Sequence, residues 1–211
     1  MNKKGFTLIE LSIVLVIIGI IIGSILKGQE LIKNAKAKRV LNDTRGLEAM
    51  IWTFYDRKNR FPGDCNQDGL IGYNAPNNIT GSNNLSNNTD PTIDACKTNP
   101  NEDNVNRAFS DLRLARVAPY SKPNIILAKH VANGFFHIGY TTVNGQNYNA
   151  IFIYNIPAWM AKIIDVEIDG FENGNVGLVR RHDIRDGGSG WPLEQYDNQL
   201  VSIEYYFDQE P

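Results

Sequence analysis

The chain has 211 residues, 42% apolar and 21% charged, the balance of a folded protein with room for one core and an additional segment. Its formal charge of -2 at pH 7 supplies no basic face, so no nucleic-acid partner is indicated. The two cysteines, Cys65 and Cys96, lie too far apart for a CxxC redox or zinc motif.

The averages conceal an apolar run. Met1-Asn2-Lys3-Lys4-Gly5 is followed by Phe6-Thr7-Leu8-Ile9-Glu10-Leu11 and an almost unbroken series of Ile, Val and Leu to Leu26. A helix over Phe6 to Leu26, rising about 1.5 Å per residue, matches the hydrocarbon core of a bilayer. Lys3 and Lys4 set its first end on the positive, inner side, and Lys27 bounds the other end. An ordinary secretory signal has a shorter apolar run with a small-residue cleavage site after it. Here the candidate cleavage point, Gly5, precedes the run, so removal of residues 1–5 leaves the span in the mature chain. Glu10 does not belong in a plain anchor. A lone carboxylate at that depth costs about 2.5–3.5 kcal/mol on insertion scales. A partner is therefore expected. The amine created at Phe6 by cleavage can supply it, in the same chain or a neighbour. The alternative is that Glu10 snorkels to the interface.

Lys3-Lys4-Gly5-Phe6-Thr7-Leu8-Ile9-Glu10 followed by the apolar run resembles the signal of type IV prepilins and type II secretion pseudopilins. The resemblance covers about the first 26 residues. It implies cutting after Gly5 by the prepilin peptidase, N-methylation of Phe6 by the same enzyme, and an assembly role for Glu10 opposite the N-terminal amine of an adjacent subunit. It further implies partners: other pilin-like subunits in a homo- or hetero-oligomeric filament, and the inner membrane assembly machinery. The location implied is the bacterial inner membrane as a single-pass protein, then a surface pilus or a periplasmic pseudopilus. Many pilins carry a proline where this chain has Lys27. Gly19, Gly23 and Gly28 offer another way to loosen or tightly pack the helix there.

After Lys27, Leu31, Ile32, Ala35, Leu41, Leu47, Ile51, Phe54 and Tyr55 recur at roughly helical spacing, and no proline intervenes before Pro62. One helix over 6–58 is predicted, amphipathic in its second half; two helices broken at Gly28 or Gly46 are the alternative. Residues 59–211 then form the head. From Phe61 to Asn104 the chain is rich in Asn, Gly, Pro and Asp without periodicity, so a long loop is expected. A disulfide between Cys65 and Cys96 is the favoured reading outside the cytoplasm, with two free thiols the alternative. Asp64-Cys65-Asn66-Gln67-Asp68-Gly69 places oxygen side chains at alternate positions before a glycine, the first half of an EF-type calcium loop, with Ile71 at the apolar position that follows. The twelfth position is Ala75, where a bidentate acid belongs. A calcium site on Asp64, Asn66 and Asp68 needs an acid from elsewhere, and an Asn/Asp turn needs no metal.

A short helix is expected over Asn104 to Val117, ending before Pro119. Phe135 to Thr142 and Tyr148 to Asn155 read as strands joined at Asn144-Gly145. Pro157 opens a further helix stopped by Gly170, and Val176 to Arg180 and Leu200 to Phe207 are strand candidates. The fold class expected is α+β: a long N-terminal helix packed on an antiparallel sheet, as in type IV pilins. Asp165, Glu167 and Asp169 near the end of that helix oppose its dipole and ask for a cation or hydrogen bonds, but a solvated face is the favoured reading. Arg60 to Asp64 and Ile164 to Gly170 also resemble segments of a subgroup of large pilin-like proteins. His182-Asp183 invites a base-and-orienter reading, but no Gly-flanked Ser or reactive Cys accompanies it. It reads as a solvated loop pair, and no enzyme activity is expected. The function expected is that of a filament subunit. The alternative is a membrane-tethered adhesin or regulator that uses the signal only for sorting.

Overall fold

The computed structural model describes residue 5 and residues 7–75, 84–96, 103–182, 190–192 and 196–211. Helix α1 runs unbroken over Leu8–Lys58, so neither Gly28 nor Gly46 divides it. It starts at Thr7 in an extended conformation and stops at Asn59, which turns left-handed (φ 54°) and returns its N–H to the Tyr55 carbonyl. Its two halves differ as their sequences do. Ala37, Val40, Leu41, Thr44, Leu47, Ile51 and Phe54, which recur along one helical face, are buried on the head. By contrast, every residue from 7 to 27 is exposed. Leu31 and Ile32, expected in the buried stripe, are instead 60% and 57% exposed, so the uncovered apolar stem extends well beyond Leu26.

The head continues with α2 (Arg107–Leu114), α3 (Asn124–Ala128), β1 (Phe135–Val143), β2 (Gln146–Pro157), α4 (Ala158–Asp169), β3 (Val179–Arg181) and β4 (Leu200–Tyr206). The four strands pair antiparallel in the order β1-β2-β4-β3. Asn144 and Gly145, both at positive φ, make the tight turn between β1 and β2. Helix α3, too short for a periodic signal, was not anticipated. Strand alternation sorts the side chains. Phe136, Ile138, Ile151, Ile153, Val179 and Ile203 join the buried face of α1, with α2 and α4, in the main core. The other face of the sheet is buried too. Ala150, Phe152, Tyr154 and Tyr206 form a second cluster with Ala75 and Val143.

The polar insert gains order from particular anchors. Cys65 and Cys96 form a disulfide. Closing that loop in the unfolded chain is worth about 3–4 kcal/mol in the chain-entropy account. Two buried guanidiniums serve backbone carbonyls that have no ladder. Arg113 donates to Asn88, Thr89 and Tyr120 carbonyls, and Arg107 to those of Asp94 and Ala95. In its first part the insert lies along the edge of β1, where Tyr140 N–H donates to the Tyr73 carbonyl. Only Gly139 permits this approach, since a Cβ there would strike the Tyr73 carbonyl oxygen.

Candidate functional site

The N-terminal segment places Glu10 one turn inside α1 and gives it a partner not foreseen from the sequence. Thr7 N–H and Thr7 Oγ1 each donate to Glu10 Oε2 at 2.8 Å, while Glu10 N–H donates to Thr7 Oγ1 at 3.3 Å. This is a reciprocal capping box, written in the chain as Thr7-x-x-Glu10. Both residues lie after Gly5, so the cap does not depend on residues 1–5. Gly5 is exposed ahead of the helix, and Phe6 lies outside the described residues. The helix below is long and apolar enough to cross a membrane. A Cβ added at Gly19, Gly23, Gly28 or Gly46 would meet nothing within 4 Å, so none of these glycines is required by packing inside the chain.

The Asp64 to Leu70 turn is a second cluster of oxygen atoms. Asp64 Oδ2 accepts from Gly69 N–H (3.2 Å), Asn66 Oδ1 from Asp68 N–H (2.9 Å), and Asp68 Oδ1 from Leu70 N–H (2.8 Å). Asn66 Nδ2 donates to Asp68 Oδ2 at 2.9 Å. Gln67 and Gly69 take positive φ, 62° and 91°. Asn66 and Asp68 are exposed, whereas Asp64 is 1% exposed and its carboxyl is pushed up by burial, against the pull of the Gly69 N–H. Among the described residues, no three His, Cys, Asp or Glu side chains converge on one point.

Of the three carboxylates at the end of α4, Glu167 is exposed, 3.3 Å from Lys38, but Asp165 and Asp169 are not part of a solvated face. Asp165 has no exposure; its Oδ2 accepts from Trp191 Nε1 and Asn173 N–H, both at 2.7 Å. Asp169 accepts from Leu178 and Val179 N–H, folding the following loop back over the helix terminus. Hydrogen bonds, not solvent, therefore compensate the dipole here. Burial, reinforced by the neighbouring Asp169, pushes the Asp165 carboxyl up to about 6. A folded value above the ordinary 3.8 means that this group stabilises the fold fully below about pH 3.8, a contribution lost as pH rises through about 6. Asp165→Asn mimics the protonated acid. Its stability relative to the native chain is expected to rise by on the order of 2 kcal/mol between pH 4 and pH 7. Thermal unfolding of both chains at the two pH values checks this; a difference independent of pH would contradict it.

His182 is not part of a solvated loop pair. It lies at the end of β3 with no exposure, 2.8 Å from Glu204 Oε2 through Nδ1 and 3.1 Å from the Tyr154 hydroxyl through Nε2. Tyr206 OH donates to the other Glu204 oxygen. Asp183 lies outside the described residues, as do Gly187 to Ser189. The sequence reading missed Glu204 because a strand glutamate ordinarily faces solvent. Its clue was the polar–apolar alternation of Ser202, Glu204 and Tyr206, which places all three on the sheet's second face. Tyr154, His182, Glu204 and Tyr206 are all shut off from solvent, so the relay is out of reach of a substrate.

Residues 1–26 match the family model of the prokaryotic N-terminal methylation motif. No curated protein and no solved structure matches the chain.

Proposed function

We propose that the chain, whose N-terminal methylation motif over residues 1–26 is the prepilin-type signal of type IV pilins and pseudopilins, is cut after Gly5, methylated at Phe6, held in the inner membrane by α1, and assembled through α1 into a type IV pilus or type II secretion pseudopilus. The observation that carries this reading is the fully exposed apolar stem. From Leu8 to Leu26 no part of the head covers it, and Leu31 and Ile32 prolong it past the span. Lipid covers such a surface before assembly, and the stems of neighbouring subunits cover it afterwards. Gly19 and Gly23, one helical turn apart and open to approach, suit close helix–helix packing.

Glu10 acts at the start of that surface. Cleavage puts a positive amine beside the positive end of the α1 dipole, and both favour a nearby carboxylate. In the single chain Glu10 satisfies Thr7. In the filament it also meets the amine of an adjacent subunit, which sets axial register. The partners are thus the prepilin peptidase, the inner membrane assembly machinery and other pilin-like subunits. This reading assigns the head no catalytic step. Filaments sheared from cells, or drawn from the periplasm and freed of membrane, are expected to contain the mature chain. Its confinement to the membrane fraction would favour a tethered binding protein and overturn the proposal.

A further inference from the structure

Asp64 is an unusual buried group. Its carboxyl is 1% exposed and faces the backbone N–H groups of its own turn, with that of Gly69 donating to Oδ2 at 3.2 Å. Oδ1 is buried with no hydrogen-bond partner. A carboxylate out of water with one oxygen unsatisfied is costly. Protonation, the direction in which burial drives this carboxyl, removes the charge but gives Oδ1 no hydrogen-bond partner. A cation satisfies that oxygen directly. Metal-bound oxygens lie 2.3–2.6 Å or so from a calcium ion. Oxygens too far apart to hydrogen-bond one another can therefore share one ion.

We propose that the Asp64 to Leu70 turn is a calcium site, with Asp64 Oδ1, the side-chain oxygens of Asn66 and Asp68, and the Leu70 carbonyl as protein ligands and water completing the shell. Asp64, Asn66, Asp68 and Leu70 occupy the first, third, fifth and seventh positions of an EF-type loop, with Gly69 at the sixth. The N–H bonds to Asp64 Oδ2 and Asp68 Oδ1 leave Asp64 Oδ1 and Asp68 Oδ2 for the ion, which replaces the Asn66 amide donor at Asp68 Oδ2. The donor set is oxygen only. Cys65 is held in the disulfide, which removes the thiolate that zinc would prefer. An irregular turn with two carboxylates suits calcium better than the strict octahedron of magnesium. The buried methyl of Ala75 supplies no bidentate acid at the twelfth position, so affinity falls at the weak, extracellular end, about 10⁻⁴–10⁻³ M.

The site is wired to the head. Asn149 of β2 donates to the Gly69 carbonyl and accepts from Ile71 N–H, while Asp111 of α2 accepts from Gly63 N–H and Arg60. Bound calcium therefore stabilises the junction of α1, the insert and the sheet, whether or not the chain assembles. The full chain in detergent, stripped with EDTA, is titrated with CaCl2 or MgCl2 while thermal unfolding is followed. Calcium is expected to raise Tm with a midpoint near 10⁻⁴–10⁻³ M or so, and magnesium at equal concentration much less. Asp68→Ala, which also gives up the bonds from Leu70 N–H and the Asn66 amide, is expected to lower the EDTA-state Tm slightly and to weaken the calcium response about tenfold or more. Asp64→Asn is expected to abolish it. A Tm indifferent to calcium, an equal response to magnesium, or an Asp68→Ala chain that responds like the native one would overturn the proposal.

Discussion

Glu10→Gln is expected to remove the chain from filaments while leaving its membrane insertion and its head unchanged. Gln at the third helical position keeps the reciprocal cap with Thr7, because an amide oxygen accepts the Thr7 hydrogen bonds that Glu10 now accepts. What Gln removes is the charge. The amine of an adjacent subunit and the N-terminal end of its helix then meet a neutral group in a medium where charge pairing is poorly screened. A loss of about 2 kcal/mol per subunit lowers incorporation about thirtyfold. Glu10→Leu gives up the cap in addition, costing about 1 kcal/mol of local helix stability, but relieves the lipid of a polar group. The ratio of mature chain in sheared filaments to that in membranes measures the effect. A Gln variant that assembles normally would reduce Glu10 to a helix cap.

Glu204→Ala is expected to destabilise the head by about 3–5 kcal/mol, a large share of the roughly 5–15 kcal/mol available to a domain. The loss strands His182 Nδ1 and the Tyr206 hydroxyl in a part of the sheet without solvent, and it leaves a cavity between them. The appropriate control lies on the same face. His137 is fully buried, neither ring nitrogen has a hydrogen-bond partner, and burial pushes its imidazole down to about 3, so it is neutral. His137→Phe removes two unsatisfied polar atoms while keeping a ring, and is expected to change stability by less than about 1 kcal/mol. Urea unfolding of the detergent-solubilised chains, followed by Trp fluorescence, separates the two. Equal, small effects would mean that the Glu204 network is incidental.

The contrast between these two regions shows which features were legible in the sequence. The stem was legible because lipid imposes a one-body requirement: enough apolar residues in a row, with charges at the ends. The helix–sheet order was legible for a related reason. Asn144-Gly145, Pro157 and Gly170 are local signals, and each stands where the turn or helix end forms. The polar network was not legible, because burial of Asp165, His182 and Glu204 depends on residues far along the chain. A sheet covered on both faces hides its polar positions among apolar ones, and the reading of Asp165 and His182 as solvated failed for that reason. The insert's order was hidden likewise. Arg107 and Arg113 look like surface charges in a short helix, yet they carry the loop's carbonyls. Thr7, by contrast, was in plain view: a Thr three residues ahead of a Glu at a helix start is a capping box whatever else surrounds it.

On the proposed function, Gly5-Phe6 is the processing point of a chain whose stem remains attached. Mass spectrometry of the protein purified from its native membranes, read at the N-terminal peptide, tests it most directly. The result expected is a chain beginning at Phe6 and carrying one added methyl group on its amine. An intact Met1, or an unmethylated start at another residue, would contradict the account.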